Sequence, residues 1–154
     1  MNLNQAITNH RFFLGMKPEH LGALTAGAKA AQYKAGEMLC REGEPAGQFY
    51  LIESGKVALE AHDPADGTAP VETLGAGDVL GWSWLFPPFV WHFQARAIEP
   101  TKVIILSGGH LLVTAEDNHD FGYELMKRIA QVVIHRLQAA RKESFAQLAV
   151  PPGH

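Results

Sequence analysis

The sequence predicts a mainly β domain, a sandwich or barrel of short strands, set between helical segments at its two ends. Two observations predict it. From residue 31 to 107 apolar side chains recur with a period of two and glycine interrupts them every few residues, while on either side the period is helical. At 154 residues, with 47% apolar and 19% charged side chains, the composition is that of one globular domain large enough to bury its own core.

Residues 9–30 read as a covering helical part. Phe12, Phe13, Leu14 and Met16 are apolar, and Pro18 opens a second stretch carrying Leu21 and Leu24. Proline suits a first helical turn, where its missing N–H has no intrahelical partner to lose. The strands follow: Phe49 and Leu51 alternate with Tyr50 and Ile52, Val57 and Leu59 with Ala58 and Glu60, and Val71 and Thr73 with Glu72 and Leu74. Turns are expected at Ala35-Gly36, Glu42 to Pro45, Ser54-Gly55, Asp63 to Pro70 and Gly75 to Asp78, where glycine reaches positive φ without strain. Val103 to Leu106 reads as a last, buried strand. After Gly108-Gly109, His110 to Glu116 reads as a short helix, and Asn118 or Asp120 is placed to cap a longer one over about 120–148. The single domain, 1–154, thus divides into a helical part (1–30), a β part (31–107) and C-terminal helices (108–150).

Composition excludes several classes. A formal net charge of -3 argues against bulk electrostatic binding of nucleic acid. No apolar run reaches membrane-spanning length, and the opening Met1-Asn2-Leu3-Asn4-Gln5 has neither the basic nor the apolar region of a signal peptide. One cysteine, Cys40, excludes an internal disulfide and a thiolate metal cage within one chain, and these features fit a cytoplasmic protein. Cys40 reads as a small buried residue, since no resolving cysteine accompanies it. Ser83 has no identifiable His/Asp arrangement, so no nucleophile is assigned. The histidines show no paired spacing with a carboxylate; no metal site is assigned, which also weakens a cupin-like enzyme.

Tyr33, Gly36, Met38, Leu39, Glu42 and Gly43, followed by Phe49-Tyr50-Leu51-Ile52 and Gly55-Lys56-Val57, make a spaced signature, and Leu74 to Gly81 makes a second. On these residues the chain closely resembles the cyclic nucleotide-binding domain family, in its Crp/Fnr-type, catabolite-activator-like branch. The resemblance implies an eight-stranded double-stranded β-helix, a jelly-roll-like β-roll, with N-terminal helices and a long C-terminal helix. It also implies a cassette after Gly81 whose helix N-terminus holds a cyclic phosphate, as such termini do for anions. In that family a glutamate binds the ribose and an arginine the phosphate. Here Trp82 stands at the glutamate position and Trp91 at the arginine position, with His92 and Phe93 replacing the small residues beside it. Arg96 survives nearby, but its place along the strand puts it on the face opposite Trp91. A phosphate without its charge partner forfeits on the order of 2–5 kcal/mol, so usual-affinity binding of cyclic AMP is not expected.

The altered cassette comprises Gly81, Trp82, Ser83, Trp84, Leu85, Trp91, His92 and Phe93. Trp82, Trp84, Phe86, Phe89, Trp91 and Phe93 are six of the chain's fourteen aromatics, and Pro87-Pro88 stiffens the loop between them. Three readings stay open: the rings plug the former cavity, they line a pocket for a small apolar or aromatic ligand, or some form an exposed partner patch. Haem ligation through His92 is a fourth, weaker reading, because a lone histidine on a strand is more often structural.

The long helix carries an apolar seam, Met126, Ile129, Val133, Leu137 and Ala140, at the three- and four-residue steps of a coiled coil; a homodimer is expected, the alternative being a helix that lies across its own β-roll. Lys127, Arg128, Arg136, Arg141 and Lys142 read as its solvated face. The resemblance places the family's helix contacts to the ligand near Ala140 and Arg141. Too few residues follow Leu148 for a helix-turn-helix, so no direct DNA binding is expected. The reading is a non-enzymatic regulatory, ligand-sensing domain in signal transduction. The alternatives are a ligand-free protein–protein interaction module and an atypical cyclic nucleotide binder working with a separate effector.

Overall fold

The structure is a computed structural model that describes residues 3–148 apart from 64 and 66. In chain order it contains α1 (Leu3–Asn9), a 3-10 turn (Arg11–Phe13), α2 (Pro18–Leu24), β1 (Lys29–Tyr33), β2 (Met38–Cys40), β3 (Gln48–Ser54) and β4 (Lys56–Asp63). There follow β5 (Gly67–Gly75), β6 (Val79–Leu80), a second 3-10 turn (Ser83–Leu85), β7 (Gln94–Ala97), β8 (Thr101–Ser107), α3 (Gly108–Asp117) and α4 (His119–Leu148).

The eight strands form two antiparallel sheets of four, ordered β1-β8-β3-β6 and β2-β7-β4-β5. This is the β-roll the resemblance implied. The period of two explains how the first sheet is covered on both faces. Tyr50, Ile52, Leu80, Val103 and Ile105 point into the roll, against Val57, Leu59, Leu74, Ala95 and Ala97 of the second sheet. Phe49, Leu51, Val79, Ile104 and Leu106 point the other way, where Phe13, Leu24, Leu111, Phe121 and Leu125 of the helical parts cover them. Gly55 makes the corner between β3 and β4 at φ 98°; a Cβ there would lie 2.5 Å from the Pro100 carbonyl oxygen, so only glycine fits.

Several expectations need correcting. The helical stretch at 9–30 is only a 3-10 turn and α2, with α1 lying before it and strand beginning at Lys29. Gly15, at φ 82°, breaks the helix, and Pro18 restarts it in its first turn. The turn expected from Asp63 to Pro70 is shorter, because β5 already begins at Gly67. Of the two residues placed to cap the long helix, Asn118 does so by accepting from the Phe121 amide, and Ser107 caps α3 by accepting from that of His110. Cys40 is buried among the roll's apolar side chains, and burial pushes its thiol up to about 12, which keeps it protonated.

His10 fastens the N-terminal part to the roll. Its Nδ1 accepts the Phe12 amide at 3.2 Å, so Nε2 carries the hydrogen and donates to the Ile52 carbonyl at 3.0 Å. Burial, aided by the neighbouring Arg11 charge, lowers its pKa below the ordinary 6.5 despite the pull of the Ile52 carbonyl. The unfolded chain therefore binds this proton more readily than the fold does. Stability from this residue is complete above about 6.5 and falls as the pH drops from there through the folded pKa. Urea unfolding at several pH values is expected to show that decline, and His10→Asn, which keeps a cap but cannot titrate, is expected to flatten it.

Candidate functional site: an aromatic cassette on the roll

The segment between β6 and β7 is a 3-10 turn followed by a loop, and it sends its tryptophans to different sides of the first sheet. Gly81, at φ 96°, turns the chain out of β6. Ser83, Trp84 and Leu85 form the 3-10 turn, and the chain returns through Phe89 to Trp91. The return arm is hydrogen-bonded to the Glu42–Pro45 region: the Gly43 amide donates to the Trp91 carbonyl at 2.8 Å and the Trp91 amide to the Glu44 carbonyl at 3.0 Å.

Trp91 lies inside the roll and is 4% exposed. Its ring neighbours are Tyr50, with centroids 6.2 Å apart, and Phe93, at 6.0 Å. It lies so close to Gly81 that a Cβ there would fall 2.5 Å from the Trp91 Cη2 atom. Tyr50 closes the polar side of this interior by donating to the Leu39 carbonyl at 3.0 Å and to Gln48 Oε1 at 2.6 Å. The guanidinium nearest in sequence, Arg96, is on the outer face of β7, 3.3 Å from Glu60. The opposite-face placement read from the strand period holds.

Trp84 goes the other way. It packs edge-on against Phe49 in the helix-side core and donates its indole N–H to the Gly81 carbonyl at 2.5 Å. Gly108, at the start of α3, makes room for it, since a Cβ there would meet Trp84 Cγ at 2.5 Å. Trp82 and Leu85 are partly buried against the same core, and Ser83 is buried. The eight cassette residues therefore do not line one chamber. His92 is exposed, and among the described residues no cluster of three metal-ligating side chains exists. Trp91 and Phe93 take the interior volume beside His92, so the residues present do not fit a buried haem.

The helix expectations divide likewise. Ile129 is 5% exposed and belongs to the helix-side core, not to the seam. Met126, Val133 and Leu137 remain exposed, joined by Ala130 at the correct spacing. The side chain of Ala140 lies outside the described residues, and Arg141 is exposed. Arg128 and Arg136 are not on a solvated face. They continue the inward row of Leu125, Ile129 and Val132, at three- and four-residue steps that were readable in the sequence.

Arg136 is the functional contact that sequence reading missed. Its guanidinium carbon sits 4.7 Å from the Trp82 ring centroid, its Nη2 donates to the Val79 carbonyl, and its Nε is 3.5 Å from Glu72. One side chain thus ties the second half of α4 to the cassette and to β5. Burial raises the Glu72 pKa in spite of the pull of Arg136. Arg136→Met is expected to cost about 2 kcal/mol through loss of a charge-assisted hydrogen bond. It is expected also to raise the Glu72 pKa further; urea denaturation and carboxyl-carbon NMR titration check the two effects.

Two four-stranded antiparallel sheets closed into a roll, a turn and loop after a glycine, and a long helix leaving the roll define a β-roll domain of the Crp/Fnr type. The chain belongs to the cyclic nucleotide-binding domain family, whose model matches residues 30–118. The CRP-like cAMP-activated global transcriptional regulator of Mycobacterium tuberculosis is 22% identical over 129 residues, 84% of this chain and 58% of the relative. The chain therefore spans less than two thirds of that curated relative. The acetyltransferase Pat of Mycolicibacterium smegmatis is 37% identical over 70 residues, 46% of this chain and 21% of the enzyme. Among solved structures, a putative cyclic nucleotide-binding protein from Geobacter metallireducens superposes with a TM-score of 0.79 at 26% identity, covering 89% of this chain and 99% of its own. A cyclic nucleotide-binding domain from Methylobacillus flagellatus gives 0.81 at 18% identity, covering 97% and 86%. Among the described residues no helix is long and apolar enough to cross a membrane.

Proposed function

We propose that this domain is a non-enzymatic regulatory module whose nucleotide chamber is occupied by its own tryptophan, so that it does not take cyclic AMP in the family's usual way. The observation that carries this is Trp91: it stands where the resemblance expects a phosphate-binding arginine, and it is buried in the roll against Gly81 and Tyr50. A cyclic phosphate entering there would have to displace an indole and would find no cation, since Arg96 is held outside by Glu60. Calorimetric titration with cyclic AMP and cyclic GMP tests it. No saturation is expected, and saturable binding at low micromolar concentration would mean that the chamber opens and the proposal is wrong.

Output is assigned to α4, whose position Arg136 couples to the cassette. The exposed stripe of Met126, Ala130, Val133 and Leu137 supports a homodimer through this helix, because an apolar row at these steps is what a coiled-coil partner covers. Light scattering is expected to give a dimer at micromolar concentration, and Val133→Glu with Leu137→Glu a folded monomer. A monomeric parent chain would remove the dimer. A second reading, a ligand-free interaction module, is favoured by the cassette tip, where Phe86 and Phe89 are 61% and 45% exposed.

A further inference from the structure

A cleft of about 520 Å³ lies outside the roll, where α4 passes the turn between β5 and β6. Its apolar side is the partly buried Val132, packed against the core that holds Phe12 and Val79. Its polar wall brings the guanidinium groups of Arg11, Arg128 and Arg136 against two carboxylates, Glu72 and Asp78. None of the cassette aromatics lines it, so it is separate from the chamber that Trp91 occupies.

Its guanidinium groups are paired but not fully satisfied. Arg11 pairs with Asp78 at 2.6 Å and Arg136 with Glu72 at 3.5 Å. Arg128 spends its Nη1 on the Phe12 carbonyl and its Nη2 on Glu124, beyond the cleft. The Arg128 Nε is the buried side-chain nitrogen left without a hydrogen-bond partner among the described residues. Counted with Glu124, three guanidinium groups meet three carboxylates, so what distinguishes the cleft is this unsatisfied donor and not a net charge. Arg11, with 67% of its side chain exposed, is free to turn from Asp78 toward a ligand.

We propose that this cleft is a binding site for a small amphipathic monoanion, a carboxylate carried on a short apolar or aromatic body. Its volume lies within the roughly 300–1,000 Å³ usual for small-molecule sites. The Arg128 Nε donor lacks an acceptor, a carboxylate supplies one, and guanidinium forks suit that group. The apolar side would take the body of the ligand, and the carboxylate would sit beside Arg11 and Arg128. A ligand there touches Arg136, and so bears on the stack with Trp82 and on the position of α4. The site goes beyond the filled-chamber reading and does not depend on it.

The test is an amide-resolved NMR titration of the whole chain with phenylacetate and with octanoate. Benzyl alcohol serves as the uncharged control, inorganic phosphate as the control without an apolar body, and cyclic AMP is titrated in parallel. At least one of the two carboxylates is expected to saturate below about 1 mM, with shifts at Gly77, Asp78, Val79 and Gln131 to His135. The two controls are expected to bind at least about tenfold more weakly. Gln131→Glu, which sets a like charge in the cleft, is expected to weaken the carboxylate by the same factor, with the thermal midpoint reporting that the variant is folded. Arg11→Gln is a second variant should that one not fold. No saturation by either carboxylate, equal binding of benzyl alcohol, shifts confined to Gly81–Phe93, or folded variants that bind unchanged would each overturn the site. Shifts induced by cyclic AMP would instead count against the filled chamber and leave the cleft standing.

Discussion

Trp91→Ala is expected to destabilise the domain by about 3–5 kcal/mol, the range for truncating a large buried aromatic. The ring is 4% exposed and stands between Tyr50, Phe93 and the backbone of Gly81, so its loss leaves a hole in the roll's core that the surrounding sheets cannot close. Guanidinium denaturation measures the loss. The hole also gives a positive signature: indole added to the variant is expected to raise its thermal midpoint, as a ligand specific to the folded state must, and to leave the parent protein unmoved. The variant is not expected to gain cyclic nucleotide binding, because removing the plug does not supply a cation. Trp91→Arg restores the residue that the family resemblance places there. It is expected to fold less stably than the parent, since it buries an unpaired guanidinium, and to be stabilised by cyclic AMP when the phosphate neutralises it. An alanine variant as stable as the parent would mean that the ring does not fill the interior.

What could be read in the sequence followed from local rules. The strands of the roll announced themselves because Tyr50/Ile52 and Phe49/Leu51 must face opposite sides, and glycines such as Gly55 stood where φ is positive. Asn118 was legible as a cap because capping is decided within four residues. The failures share a different cause. Trp84 and Trp91 lie in an irregular segment with no period, so composition could not tell that they fall on opposite faces of one sheet. By residue type alone Ile129 belongs to the seam and Arg136 to solvent, whereas position along the helix decides otherwise. The row Leu125, Ile129, Val132, Arg136 faces inward, and the neighbouring row through Ala130 is the exposed one. A long arginine can extend its apolar stem over a core while its head finds carbonyl and carboxylate partners, as Arg136 does with Val79 and Glu72. The charged cleft was invisible for a simpler reason: residues near 11, 72–79 and 128–136 are brought together only by the fold.

Gly81→Ala is expected to be as damaging as the loss of Trp91, about 2–5 kcal/mol from left-handed backbone strain and overpacking together. At φ 96° an L side chain is strained whatever the space around it, and here there is none: the new Cβ would lie 2.5 Å from the Trp91 ring and 2.8 Å from the Gln48 carbonyl oxygen. These two obstacles answer differently to a second mutation. Alanine at position 91 removes the ring, but the Gln48 carbonyl is held in place where β3 enters its pairing with β8. In a double-mutant cycle the Gly81→Ala cost is therefore expected to shrink in the Trp91→Ala background without vanishing, with a coupling energy of about 1–2 kcal/mol for the ring contact. Complete rescue would mean that the indole alone dictates glycine here. Exact additivity would mean that backbone geometry alone does, and that the ring and Gly81 do not meet in the folded protein. Partial rescue places both constraints on one residue. The cassette then leaves β6 by a turn that cannot relax while the indole is in the roll, and movement of Trp91 is coupled to movement of the segment carrying Trp82 and, through it, Arg136 on α4.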